Sequence, residues 1–148
     1  MNTNNPSRPV QQYSLIFLSV LLLILAASRF IALHGLELNT DEVWSIWQSF
    51  GTPEQIICWT PYDWPPGYYL LLGGWKIFVG IQPFVYHYLS ILIFLLSIAL
   101  LYRVIRRLRD ERTALIVILA YSALGYVLRI STEVRAYMLM IALLILAF

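Results

Sequence analysis

Charge and thiols are what this chain has least of. Only 12% of its 148 residues are charged, and there is one cysteine, Cys58. A soluble domain usually carries about a quarter charged residues and 45–50% apolar ones, whereas here 60% are hydrophobic and 15% aromatic. One cysteine excludes an intrachain disulfide and any metal framework built of cysteines. No pair of histidines stands at ligand spacing. The phosphate-cradling P-loop, the Rossmann glycine pattern and the nucleophile elbow are missing as well. A basic face for nucleic acid is absent, because the one dense Arg cluster is short and membrane topology accounts for it. From residue 34 to residue 66 there is no Lys or Arg, although Glu37, Asp41, Glu42, Glu54 and Asp63 all fall there. These absences leave the membrane class.

Long apolar runs are what the chain has instead. After a polar lead with Pro6, Arg8 and Pro9, expected to be disordered, residues 13–33 are apolar for long enough to cross a bilayer. Ala26-Ala27-Ser28 keeps a cleaved signal peptide in view as the competing reading. Further spans are expected at 84–102, 113–130 and from 136 onward. The last run, Tyr137 to Phe148, has no stop signal. As a helix it reaches about 18 Å against a hydrocarbon core of about 30 Å, so the chain reads as an N-terminal fragment cut inside a transmembrane helix. Arg29, near the end of the first span, is expected to snorkel to the interface or to turn inward toward a carboxylate or a phosphate.

Two shorter helices are expected in the loop at 34–83. Asn39 or Thr40 can cap one that starts at Asp41 or Glu42 and puts Val43, Trp47 and Phe50 on one face, with Trp44 beside them. Gly51-Thr52-Pro53 stops it. Pro65-Pro66-Gly67 opens the other, Tyr68 to Val79, roughly 21 Å long and too short to span comfortably. Charge then sets the topology. Arg103, Arg106, Arg107, Arg109 and Arg112 belong on the cytoplasmic side, and the loop without positive charge belongs outside. Both fall where the rule wants them if 68–79 lies on the outer surface instead of crossing. The third span then brings the charged turn 129–135 to the same outer face. The expected fold is an all-α, polytopic membrane bundle with its N-terminus in the cytoplasm and two interfacial helices in the first outer loop.

The residues on that outer face can do chemistry. Asp41 at a helix N-terminus is favoured in its ionised form by the dipole and free amides. A carboxylate held there can serve as general base toward a hydroxyl or amine. The plainer alternative is that Asp41 caps a helix and Glu42 faces water. Arg129 and Arg135 offer planar donor sets for a phosphate, with Glu133 to orient one of them; alternatively, Arg135 and Tyr137 are interfacial anchors. Asp63, Trp64, Tyr68 and Tyr69 gather at a Pro-fixed helix start. His87, near the outer end of the second span, is expected to be hydrogen-bonded within the bundle.

Three stretches, in order, resemble the N-terminal part of the integral-membrane GT-C glycosyltransferases. The nearest groups are the protein O-mannosyltransferase-like family and the aminoarabinose transferases that modify lipid A. Thr40-Asp41-Glu42 looks like the family's Asp-Glu motif. Asp63-Trp-Pro-Pro-Gly-Tyr-Tyr-Leu-Leu71 is similar to its "His-Pro-Pro-Leu-Tyr-Tyr" helix start. Ser131-Thr-Glu-Val-Arg-Ala-Tyr137 is similar to its "Ser-x-Glu-x-Arg-x-Tyr" stretch. The resemblance implies a multi-pass enzyme of the cell envelope that transfers a sugar from a polyprenyl-phosphate donor to a protein, lipid or glycan acceptor at the extracytoplasmic side of the cell membrane. Asp41 would be the base, Glu42 its neighbour near the acceptor or a divalent metal, and Arg135 a ligand of the donor phosphate. Trp64 stands where many relatives have His, with Asp63 as a partial substitute. Two other readings are a ligase moving a whole oligosaccharide and a non-catalytic membrane subunit or transporter component.

Overall fold

A computed structural model describes residues 7–62, 64–80 and 82–148. Among them all regular secondary structure is helical: α1 (Ser7–Ala32), α2 (Thr40–Gln48), α3 (Pro53–Trp59), α4 (Pro66–Val79), α5 (Pro83–Leu108), α6 (Glu111–Ala123), α7 (Gly125–Ile130) and α8 (Tyr137–Leu146). Two segments, Gln12–Ala32 and Phe84–Leu108, are long and apolar enough to cross a membrane. The first helix begins earlier than expected, at Ser7, with Pro9 in its first turn, where proline is tolerated.

Helix α5 is the centre. It packs against α8 and α6 and more lightly against α1 and α4. Phe94 and Ile98 are fully buried there with Ala114 and Ile118 of α6 and Met138 of α8. Two polar contacts fix the pairing of α5 with α6. Ser97 Oγ lies 3.0 Å from the Tyr121 hydroxyl, and Tyr102 donates to Glu111 Oε1 at 2.9 Å. Helix α1 is the opposite case, with most of its apolar side chains bare, Leu23 and Ile31 among them. Arg29 does turn inward, but toward a backbone carbonyl: its Nη1 donates to Leu128 O at 3.2 Å and ties α1 to α7.

The single helix expected over 113–130 is broken. Leu124 takes an extended conformation (φ −64°, ψ 118°) between α6 and α7. The flanking residues explain the position: Ser122 bonds back to the Leu119 carbonyl at 3.0 Å, and Gly125 has low helix propensity. The loop between the two long helices holds three helices where two were expected. The extra one, α3, starts at the Pro53 that was read only as a stop. Thr52 caps it and exchanges hydrogen bonds with Gln55 in a capping box.

Helix α4 stays at one end of α5. Its first turn lies against α2 and the middle of its length meets α2 and α3, while Trp75 Nε1 donates to Val85 O at 3.0 Å, in the first turn of α5. Gly73 permits the close approach to α2 and α3. A Cβ there would lie 3.1 Å from the Ser49 carbonyl oxygen and 3.2 Å from Ile56 Cδ1, and that same carbonyl accepts from Lys76 Nζ at 2.6 Å. Gly73→Val is therefore expected to cost about 1–3 kcal/mol through overpacking. Thermal unfolding of the detergent-solubilised protein measures it; an unchanged or higher midpoint would mean that α4 and α2 are not in this contact.

Candidate functional site

The site begins with the start of α2. Asn39 is the N-cap: its side chain accepts from the Glu42 amide at 3.0 Å, and Glu42 Oε2 accepts from the Asn39 amide at 3.0 Å. This reciprocal box fixes the first turn and sets Asp41 at its second position. The polar side of α2 is the buried one. Glu42, Ser45, Gln48 and Ser49 face inward, and Val43, Trp44, Trp47 and Phe50 face outward. Trp47 packs edge-on to Trp44 at 5.4 Å and stacks on Trp59 of α3 at 5.5 Å.

Glu42 does not face water. Its side chain is buried, and Oε1 accepts from the Val134 amide at 2.8 Å, across 92 positions of chain. That bond draws the 131–136 turn onto the start of α2. Helix α5 holds the same turn from the other side: His87 Nδ1 bonds the Thr132 carbonyl and Ser90 Oγ donates to the Glu133 carbonyl at 2.6 Å. His87 Nδ1 is also 3.7 Å from Glu42 Oε1. With its proton on Nδ1 the ring donates to the Thr132 carbonyl, the bundle role expected of it.

The turn carries Arg135 to Asp41. Arg135 Nη1 lies 3.1 Å from Asp41 Oδ2 and 3.0 Å from the Tyr137 hydroxyl. The Asp41 side chain is 60% exposed and that of Arg135 20%, so the carboxylate is open to an incoming group while the guanidinium is mostly enclosed. The Arg135 guanidinium sits 5.6 Å from the Trp64 ring centre and 5.4 Å from that of Tyr137. Trp64 in turn stacks on Tyr69 at 6.2 Å. Trp64, Pro65, Tyr69, Arg135, Ala136, Tyr137 and Met140 enclose a cavity of about 310 Å³. One cation between aromatic faces, beside an exposed carboxylate, can hold an anionic group with an apolar tail attached.

Burial pushes the Tyr69 phenol up to about 12, so it stays a neutral donor at ordinary pH. Tyr68 is raised further, again by burial. Its hydroxyl lies beside Ser90, whose own proton goes to Glu133, and among the described residues no group meets it in hydrogen-bond geometry.

The expected residues do not all converge. Arg129 is exposed and pairs with Glu133, Nε to Oε1 at 3.2 Å, so Glu133 does orient an arginine. Both line a second cavity of about 240 Å³ with Glu42 and His87, and Arg135 is not part of its wall. Asp63 lies outside the described residues. Among the described residues no three His, Cys, Asp or Glu side chains are placed to hold a metal. The link from Glu42 to Val134 had no signal in the sequence, since its donor is a backbone amide. The capping box had one: Asn39 and Glu42 stand at the required spacing. The chain matches no protein-family model, no curated protein and no solved structure.

Proposed function

We propose that this chain forms part of a multi-pass glycosyltransferase of GT-C type, acting at the extracytoplasmic face of the cell membrane. The observation that carries the proposal is the Asp41–Arg135 contact at 3.1 Å, at the edge of the cavity walled by Trp64, Tyr69 and Tyr137. A donor phosphate lies against Arg135, and its polyprenyl chain passes over Met140 toward the exposed side of α8. Asp41 takes the proton of the acceptor hydroxyl or amine as that group attacks the anomeric carbon. The sugar–oxygen bond breaks, its electron pair stays on the phosphate, and Arg135 stabilises the charge that develops there. Both Glu42 oxygens accept from backbone amides and one Asp41 oxygen meets Arg135, which leaves the other Asp41 oxygen to receive the proton.

The membrane reading rests on two supports. Helix α1 carries apolar surface far beyond what a soluble monomer exposes, and α2 turns its tryptophans outward while burying its polar side, the reverse of a soluble amphipathic helix. The orientation rests on distance. The candidate site meets α5 at His87 and Ser90, and the Arg cluster occupies Arg103 to Arg107 at the other end, about 20–30 Å away at 1.5 Å per residue.

A second reading is favoured by the same ion pair. Asp41 and Arg135 satisfy one another, as they would in a non-catalytic membrane subunit or transporter component. Transfer itself separates the two. Membranes with and without the intact protein are given a labelled polyprenyl-phosphate sugar and a mixed pool of protein, lipid and glycan acceptors. Label that moves only when the protein is present supports the enzyme, and the product mass tells one sugar from an oligosaccharide. No protein-dependent movement of label to any acceptor sinks it.

A further inference from the structure

The second cavity, of about 240 Å³, takes no part in the chemistry proposed above. Three separate segments wall it: the stretch that enters α2, His87 of α5, and residues 129–133. The wall carries three carboxylates, Glu37, Glu42 and Glu133, against one guanidinium, Arg129, a net formal charge of −2 with the His87 ring neutral. Glu42 is spent on backbone amides, and Glu133 Oε1 meets Arg129 Nε, whose side chain is 80% exposed. Among the described residues no cation pairs with Glu37. The acids alone would not make a site; His87 adds what they lack. Its side chain is only 4% exposed. The Thr132 carbonyl can only accept, so Nδ1 carries the proton of the neutral ring and Nε2 presents a lone pair. Among the described residues nothing donates to Nε2. It is not one of their sealed, unpartnered atoms either, so it opens on the cavity that the ring lines.

We propose that this cavity binds a primary ammonium group, carried by an ethanolamine phospholipid headgroup or by a free amine. An ammonium brings a positive charge and three N–H donors. His87 Nε2 can take one donor and the Glu133 oxygen that Arg129 leaves open a second, while Glu37 offsets the charge. A neutral polyol would leave the surplus negative charge unmatched. A trimethylammonium has no N–H to give. Among the described residues no third acid or histidine stands close enough for a metal ion. The site does not rest on sugar transfer: Arg135 is outside its wall, and a non-catalytic subunit would carry it equally.

The test needs no activity. The intact protein is reconstituted in bilayers of equal phosphatidylethanolamine and phosphatidylcholine, extracted again, and its retained lipid counted by native mass spectrometry. In a second arm it sits in phosphatidylcholine alone, and contact with dissolved ethanolamine is read by saturation-transfer NMR. A preference for phosphatidylethanolamine identifies the lipid as the source; contact with ethanolamine alone identifies a free amine. In whichever arm is positive, His87→Asn is expected to lower binding about ten- to a hundred-fold, the worth of a hydrogen bond to a charged group. The Asn amide can still donate to Thr132, so the turn stays in place, and thermal unfolding checks this. Glu37→Gln, at an exposed residue, is expected to lower binding about two- to five-fold, and it carries the test if the His87 variant does not fold. Glu54→Gln removes the same charge elsewhere in the loop and is expected to change nothing. Labelling of the exposed Cys58 by an impermeant thiol reagent checks that the variants insert the same way round. Binding in neither arm overturns the proposal, as does full binding by a folded His87→Asn. So does an equal fall in Glu37→Gln and Glu54→Gln, which would mean diffuse attraction, or displacement by calcium ions, which would mean a site for inorganic cations.

Discussion

Asp41→Asn is expected to lower sugar transfer by about 10²- to 10⁴-fold, the usual worth of a general base. The substitution is nearly isosteric, so the contact with Arg135 and the start of α2 survive it. Asn can keep an oxygen toward Nη1, and it is well tolerated in the first turn of a helix. What it cannot do is accept a proton. The loss should therefore appear in kcat, with the KM for the donor changed little, because the donor phosphate is assigned to Arg135. Cys58, on the exposed side of α3, reports insertion through the same impermeant label in the variant and the parent. A variant that inserts normally and transfers at a near-normal rate removes Asp41 from the role of base. A variant with intact kcat and a raised KM would move the residue from chemistry to binding.

The parts of the fold that were legible in the sequence were those set by local pattern. Two apolar runs long enough to span, a capped helix after the first of them, and a proline-started helix at 66 all follow from hydropathy and cap chemistry. The break at Leu124 was hidden because Leu, Gly and Ser in an apolar run do not by themselves stop a helix. Helix α3 was hidden because Pro53 can end one helix or begin the next, and only the Thr52–Gln55 box decides. In the site, residue types pointed to Asp41 and Arg135 separately. Their meeting depends on contacts across 43 to 92 positions, made largely by backbone groups: the Val134 amide and the carbonyls of Thr132 and Glu133. Every residue presents such groups, so no residue letter marks them. The same contacts explain why Arg129, equally plausible by type, belongs to a different cavity.

Those contacts also divide the acidic pair, and the division is testable. Glu42→Ala is expected to destabilise the protein by roughly 2–6 kcal/mol, since it strips the acceptor from two amides at about 1–3 kcal/mol each. The bond to the Val134 amide is buried, where an unsatisfied donor costs most. Glu42→Gln should be milder but not neutral. Its amide has one oxygen for two N–H donors, so its NH₂ must point at either Val134 N or Asn39 N. Asp at this position is one methylene short of bridging both. The change is read from thermal unfolding in detergent and from faster hydrogen exchange at the Val134 amide. Because the 131–136 turn hangs from this carboxylate, Arg135 loses its alignment with Asp41 and transfer falls along with stability. Asp41→Asn, by contrast, should leave stability nearly unchanged. The pair of results therefore separates the two readings of the chain. Loss of stability on changing Glu42 is expected whether or not the protein is an enzyme, because the tether is structural in either case. Loss of transfer without loss of stability on changing Asp41 is expected only if that carboxylate receives a proton. If Glu42→Ala unfolds at the same temperature and exchanges the Val134 amide at the same rate, the tether does not exist, and Arg135 must be brought to Asp41 by some other means.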